Sequence, residues 1–196
     1  MSRIYWKGSA LLAPVPSVLV SCGTLEKANL ITVGWTGVIC TRPPRISIAV
    51  RPERHSHGIL TQTREFVLNL TPASLCEVAD YCGTVTGRLV DKAKKTGLTL
   101  IPSKEVAAPT VADCPLSLEC RVTDVLPQGS HDLFLADVVQ VSVEDTLLDS
   151  SGRLHLDRAK LLTFVHGEYF EVGRKLGRIG ISVENHKKGK KAVVKK

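Results

Sequence analysis

The sequence predicts a mainly β fold in which many short strands and a few short helices close into a barrel. Three observations point there. Runs of β-type residues recur along the chain, each bounded by Gly, Pro, Asn or Ser. The helix-like segments between them are brief. Aromatic residues make up only 5% of the chain, so Val, Leu and Ile must build the core. A chain of 196 residues can bury such a core without disulfides or metal.

The elements follow in order. Residues 17–22 (SVLVSC) read as a strand, and GTLEKAN after them as a turn. Residues 30–41 (LITVGWTGVICT) are strand-like, interrupted at Gly-Trp-Thr-Gly. Arg42-Pro43-Pro44 is a corner, since neither proline can donate a ladder hydrogen bond. RISIAV (45–50) is the next strand, and 56–64 a short helix with Ser56 as its N-cap. EFVLNL (65–70) is again a strand. Thr71-Pro72 then offers a cap and a first-turn proline for a helix through about Tyr81, with further helical turns over 87–96. In LSLECRVT (116–123), apolar residues alternate with polar ones, which predicts a half-buried antiparallel strand. The run from 132 to 145 is long and largely apolar on both faces, which predicts a core on one side and a subunit or second sheet on the other. No internal repeat or interdomain linker is evident, so the expectation is one domain over 1–185 and a basic tail over 186–196.

The net charge of +7 first suggests nucleic acid, but the tail alone carries six lysines and no acid. The body is therefore nearly neutral, and the tail reads as a solvating segment. Six cysteines, at 22, 40, 76, 82, 114 and 120, form no C-x-x-C pair. That fits free thiols in a reducing cytoplasm. Residues 10–22 (ALLAPVPSVLVSC) imitate a lipoprotein signal, but prolines interrupt the apolar stretch and no linker follows the cysteine. No segment has the length and apolarity of a membrane span. There is no G-x-G-x-x-G after a strand, and no Walker A, G-x-S-x-G or H-E-x-x-H motif. No metal site is expected: His55 and His57 are two apart and would diverge on a helix.

The most informative stretch is AVRPERHSHGIL (49–60), where an apolar strand runs into two arginines, two histidines and a helix start. On the residues alone, a solvated basic turn is the simpler reading. An anion site is the alternative, with helix-start amides and an Arg51 fork as donors.

Ordered motifs then carry a resemblance. They are NLIT (29–32) with Trp35-Thr36, Arg42-Pro-Pro44 before RISIAVRPERHS, EFVLN (65–69) and YCGTVTGRLVDK (81–92). HDLFLADV (131–138), FVHGEY (164–169) and Leu176-Gly177 follow. Over residues 10–182 the sequence resembles the flavin reductase-like, FMN-binding split-barrel family, in its flavoredoxin branch. The resemblance implies a Greek-key split barrel, a homodimer, and FMN bound near the dimer interface. It implies phosphate contacts from Arg51, beside Val50, and from Ser56, with Arg54, His55 and His57 secondary. It places Asn29, Thr32, Trp35 and Thr36 along the flavin, and Cys82, Thr86, Gly87 and Lys92 in a second flavin segment. On residues alone, Trp35 could equally be a core aromatic, and Lys92 reads as a solvated helix lysine. Cys40 could lie near the flavin, but reads better as a small buried hydrophobe. His131, His166 and Tyr169 are candidates for the substrate mouth, and structural histidines are equally expected.

No catalytic side chain is named, because hydride transfer to a flavin needs no protein nucleophile. Three functions compete. The first is an FMN-dependent oxidoreductase, or flavin reductase, using NAD(P)H. The second is a flavoredoxin-type electron carrier with a protein donor. The third is a nucleic-acid-binding β-barrel, weakened by the neutral body and the missing aromatic platform.

Overall fold

The chain is organised around one curled sheet. A computed structural model describes residues 1–183, and the basic tail expected over 186–196 lies outside the described residues. Residues 1–13 form neither helix nor strand. The strands and helices then follow as β1 (Val15–Pro16), β2 (Val18–Cys22), β3 (Asn29–Val33), β4 (Thr36–Thr41), β5 (Pro44–Val50), α1 (His55–Thr63) and β6 (Glu65–Leu70). Next come α2 (Cys76–Thr84), α3 (Lys92–Thr96), β7 (Leu100–Ile101) and β8 (Thr110–Val111). Two long strands, β9 (Leu116–Pro127) and β10 (Asp132–Val143), form a hairpin, as do β11 (Leu162–Val165) and β12 (Glu168–Glu171).

Seven strands pair in the order β3-β2-β6-β9-β10-β5-β4. Every ladder is antiparallel, and the β9–β10 pairing carries two register shifts. Extra residues of this kind bend a strand and increase its twist. The sheet curls until β3, at one edge, comes into contact with β5. No ladder joins those two strands. The result is a mainly β split barrel with an open seam between β3 and β5.

Alternation explains the core. Val18, Val20 and Cys22 of β2 point inward with Ile31 and Val33 of β3, and Ile46, Ile48 and Val50 of β5. Phe66 and Leu68, Cys120 and Val122, and Phe134 and Ala136 complete the interior, and Leu60 of α1 plugs it. Each such apolar side chain contributes about 1.5–3 kcal/mol on burial. A one-residue slip would turn a strand's whole set outward, which pins the register. The outer face of β2 and β3 is covered in turn, where Leu19 and Leu30 meet Cys82, Leu98, Val111 and Cys114.

Several expectations are corrected. The strand over 116–123 is half-buried as expected only in its second half, where Arg121 is exposed; in the first half Ser117 is 1% and Glu119 2% exposed. Val106 and Ala108 pack over Val67 of β6 on that outer face. The buried Glu119 carboxylate accepts the N–H groups of Lys104 (3.0 Å) and Glu105 (2.6 Å) and so clamps the covering loop. Ser117 Oγ donates to Asn69 Oδ1 at 2.8 Å. The polar residues face outward as expected, but at Ser117 and Glu119 that outer face is a second interior. Ser56 does not cap α1: Arg54 is the N-cap and Ser56 lies within the first turn. Thr71 caps no helix either. Its hydroxyl accepts the Leu19 N–H at 2.9 Å, which ties β2 to the end of β6. A 3-10 turn, Ala73–Leu75, intervenes before α2. The helix expected over 87–96 is only the five residues of α3, started by the Asp91 carboxylate accepting the Lys94 N–H and stopped by left-handed Gly97.

Candidate functional site

The seam is where the sequence leaves regular pairing. After Val33, the chain passes through Gly34 and Trp35 into β4. The Trp35 carbonyl accepts the Ala49 N–H at 2.9 Å, a single bond reaching from that connection to β5. Beyond Val50 the chain turns into α1 within four residues, with the Arg54 N–H donating to the Arg51 carbonyl at 3.0 Å. Three cavities lie along this line. The middle one, about 380 Å3, sits between β3 and β5 and is lined by Ile31, Thr32, Val33, Gly34, Trp35, Ala49, Val50, Arg51, Arg54 and His131. A smaller one of about 190 Å3 lies at the start of α1, lined by Asn29, Arg51, Arg54, Ser56, Thr86 and Lys92 among others. A larger one of about 680 Å3 opens at the other end, against Leu11, Leu12, Trp35, Thr36, Phe164 and His166. Shared walls join them: Ile31, Arg51 and Arg54 on one side of the middle cavity, and Gly34, Trp35 and Ala49 on the other. They form one trough, basic and polar at one end and apolar at the other.

The basic end is built with care for its polar atoms. Asn29 is buried, and its Nδ2 donates to Ser56 Oγ at 2.6 Å. That contact needs a glycine at 87, because a Cβ there would overlap the Asn29 carboxamide. Lys92 is not a solvated lysine: it is 5% exposed, and Nζ donates to the carbonyls of Leu30 (2.8 Å) and Cys82 (2.7 Å). An ammonium carries three donors, and the third remains for the cavity that Lys92 lines. Burial pulls the Lys92 pKa below the usual lysine value, and the Arg54 charge pushes it the same way. An anion in the cavity would oppose both effects. Arg51 is half-exposed, with Nη1 3.5 Å from Glu53. An exposed pair of this kind holds a side chain only weakly, so the guanidinium can turn to a ligand. The first-turn amides of α1 open on the same cavity, where a helix start favours negative charge.

At the middle of the trough, Trp35 is 55% exposed and stacks on His131, with ring centroids 5.9 Å apart and planes at 24°. The indole is thus a wall and not a core aromatic. Burial holds the His131 ring below the usual imidazole pKa, and nearby Arg51 adds to that. Thr32 gives its hydroxyl proton to the Ala79 carbonyl, and Thr36 gives its own to Ser47 at 2.7 Å. Both hydroxyls are anchors of the wall.

The structure therefore gathers Asn29, Thr32, Trp35, Thr36, Val50, Arg51, Ser56, Thr86, Lys92, His131 and His166 along one trough. Two candidates fall elsewhere. The Cys82 thiol is fully buried in the second core, and burial pushes it up to about 11, so only its carbonyl serves the site, through Lys92. Tyr169 stands behind the wall: its ring meets Phe164 edge-on, and its hydroxyl donates to Asp80 at 3.2 Å. Of the secondary candidates, Arg54 and His55 line the basic cavity. His57 instead bonds Asp132 at 2.8 Å and packs against Phe134, holding α1 to β10. Cys40 is half-buried on the edge strand β4. Sequence reasoning missed the N-terminal Leu11 and Leu12, which wall the apolar cavity. Their signal was the same apolar, proline-broken stretch that imitates a leader.

Among the described residues, no group of His, Cys, Asp and Glu is placed to hold a metal. No helix among them is long and apolar enough to cross a membrane.

A split barrel with a trough along its open seam defines the class. Within it, residues 11–173 match the flavin reductase like domain, and the chain belongs to that family. A protein of Archaeoglobus fulgidus is 30% identical over 166 residues, covering 82% of this chain and 93% of its own length. An NADPH-flavin oxidoreductase of Streptomyces viridifaciens is 28% identical over 156 residues, covering 76% and 78%. Among solved structures, the flavoredoxin of Desulfovibrio vulgaris (Miyazaki F) superposes with a TM-score of 0.86 at 24% identity, over 93% of this chain and all of its own. An FMN-binding protein of Thermus thermophilus does so at 0.77 and 24% identity, over 91% and 99%. These two likenesses establish the fold.

Proposed function

We propose that the chain is an FMN-binding oxidoreductase that accepts electrons from NAD(P)H and passes them to flavin or another small acceptor. The observation that carries this reading is the polarity of the trough. FMN is a planar apolar ring joined by a polar chain to a phosphate, and the trough presents those environments in that order. Arg51, Arg54, Lys92 and the α1 amides supply positive potential at the narrow end. Trp35, Val33 and Val50 wall the middle. The residues present fit the cofactor.

Bound there, FMN supplies the hydride and electron chemistry, and the chain supplies position and electrostatics. Lys92 and Arg51 neutralise the phosphate, while Asn29 fixes Ser56 at its edge. A neutral His131, stacked on Trp35, shields the middle of the trough from water. The apolar cavity beside Trp35 and His166 admits the second substrate.

A homodimer belongs to the same proposal. The edge strand β4 exposes Val38 and Ile39 beside exposed Trp35, and Val141 of β10 is exposed as well. Six free thiols fit a reducing cytoplasm.

The test is an absorption spectrum of the purified, FMN-reconstituted protein, followed by NADH and NADPH without oxygen. A flavin spectrum bleached by either nucleotide supports the reading. A flavin spectrum unmoved by both assigns the chain to a carrier with a protein donor. Absence of flavin uptake refutes it.

A further inference from the structure

The start of β10 presents its two sides to different parts of the molecule. Alternate side chains of a strand point to opposite sides, so Asp132 and Phe134 share one face and Leu133 takes the other. The first face meets helix α1. His57 Nε2 lies 2.8 Å from Asp132 Oδ2, and its ring packs edge-on against Phe134, centroids 5.4 Å apart. A carboxylate only accepts, so Nε2 carries the proton. The two side chains are 16% and 18% exposed, which keeps most water from the bond. The second face lines the trough, with His131 in the middle cavity and Leu133 in the apolar one. Three groups of the trough stand one residue from this network. Ser56 precedes His57, His131 precedes Asp132, and Arg51 follows Val50, the β5 residue opposite Asp132. Asp132 is also the terminal rung of the ladders to β5 and to β9. Strand ends open first, and the His57 bond ties this one down.

We propose that His57 and Asp132 are positioning residues: their hydrogen bond sets the separation between the start of α1 and the wall of His131 and Trp35. The inference rests on the flavin reading of the trough, which puts the phosphate at the first place and the ring at the second. A ligand that reaches both places must match that separation, and one that occupies only the ring end need not. Neither His57 nor Asp132 is among the residues that line the three cavities. Both therefore act through the residues beside them. With the clasp open, the β10 start and α1 shift against each other, while Arg51 and Lys92 keep their charges.

The test uses the full chain carrying Trp6→Phe, which leaves Trp35 as its single tryptophan. Trp6 is 73% exposed, so the fold tolerates that change. Into this parent go His57→Phe, Asp132→Leu, the two together, and Asp132→Asn. Phenylalanine keeps a ring against Phe134 and removes the donor, while asparagine keeps an acceptor and removes the charge. Trp35 emission and iodide quenching are read on flavin-free protein. FMN and riboflavin are then titrated, with circular dichroism and urea midpoints as folding controls. Each single opening of the clasp should shift Trp35 emission alike, and the double variant should shift it no further. Asp132→Asn should match the parent. On the scale of one hydrogen bond, an open clasp should weaken FMN roughly fivefold and riboflavin by no more than about twofold. A lowered urea midpoint with Trp35 emission and FMN affinity unchanged overturns the proposal and leaves the pair a structural tie. Asp132→Asn behaving like Asp132→Leu, or equal weakening of the two flavins, overturns it as well. Failure of the parent to bind either flavin overturns the flavin reading, and with it any role of the pair in flavin binding, whatever Trp35 reports.

Discussion

Arg51→Ala separates a phosphate role from a structural one. A hydrogen bond to a charged group contributes about 1.5–3 kcal/mol net. Arg51 is half-exposed and already shares its guanidinium with Glu53 at 3.5 Å, so solvent and that carboxylate reduce its share. The low end applies, about 1.5 kcal/mol, or roughly tenfold in the FMN dissociation constant. Lys92, Arg54 and the helix amides remain in the variant, which is why binding weakens without vanishing. Riboflavin has no phosphate, and its affinity should change by no more than about twofold. Both flavins are titrated into both proteins at fixed salt, with circular dichroism to confirm folding. A second readout needs no flavin. Arg51 helps hold the His131 ring below its usual pKa, so the His131 titration followed by NMR should move upward in the variant. Equal weakening of FMN and riboflavin, or no weakening of either, would refute the reasoning and return Arg51 to a solvated turn.

Lys92→Met should cost both fold and site. It leaves the carbonyls of Leu30 and Cys82 without their donor, at about 1–3 kcal/mol for each buried group, visible as a lower urea midpoint, and FMN affinity should fall further than in Arg51→Ala. Gly87→Ala forces the Asn29 carboxamide away from Ser56. FMN affinity should drop several-fold and the thermal midpoint should fall as well, because the buried Asn29 amide loses its partner at about 1–3 kcal/mol; an unchanged affinity beside a lowered midpoint would show that Asn29 is not part of the site. Burial pushes the Cys22 and Cys114 thiols up to about 12 and Cys82 up to about 11 from a usual 9.0. In that window the unfolded chain loses protons that the folded chain keeps, so stability should be full below pH 9 and fall as pH rises toward 12. At neutral pH a thiol reagent should label only half-buried Cys40 and Cys76 before unfolding.

Much of the fold was legible because burial leaves a period in the sequence. The alternation of RISIAV falls on β5, and the short apolar runs SVLVSC and EFVLNL fall on β2 and β6. What alternation cannot say is what lies over the outer face. Ser117 and Glu119 look like solvent-facing positions, yet a loop from elsewhere in the chain covers them. The same limit applies to Lys92, whose burial depends on carbonyls of β3 and α2. Ser56 carried a true signal with a false reason. A serine near a helix start suggests a cap, but its partner is Asn29, twenty-seven residues earlier. Arg51 and Trp35 were legible through motif order, and the trough joining them required the curl of the sheet.

The seam between β3 and β5 has a consequence for how the protein breathes. β3 ends the sheet, so one row of its backbone groups has no ladder partner, and one bond, Ala49 to Trp35, reaches across from the β3–β4 connection to β5. Backbone left unpaired beside a cavity exchanges its amide hydrogens readily. A ligand lying in the trough occupies the position of a missing strand. It slows that exchange at Ile31 to Val33, and it lends the folded state a stabilisation that grows with the logarithm of ligand concentration. On the proposed reading the ligand finishes the barrel, and the melting temperature becomes a gauge of occupancy.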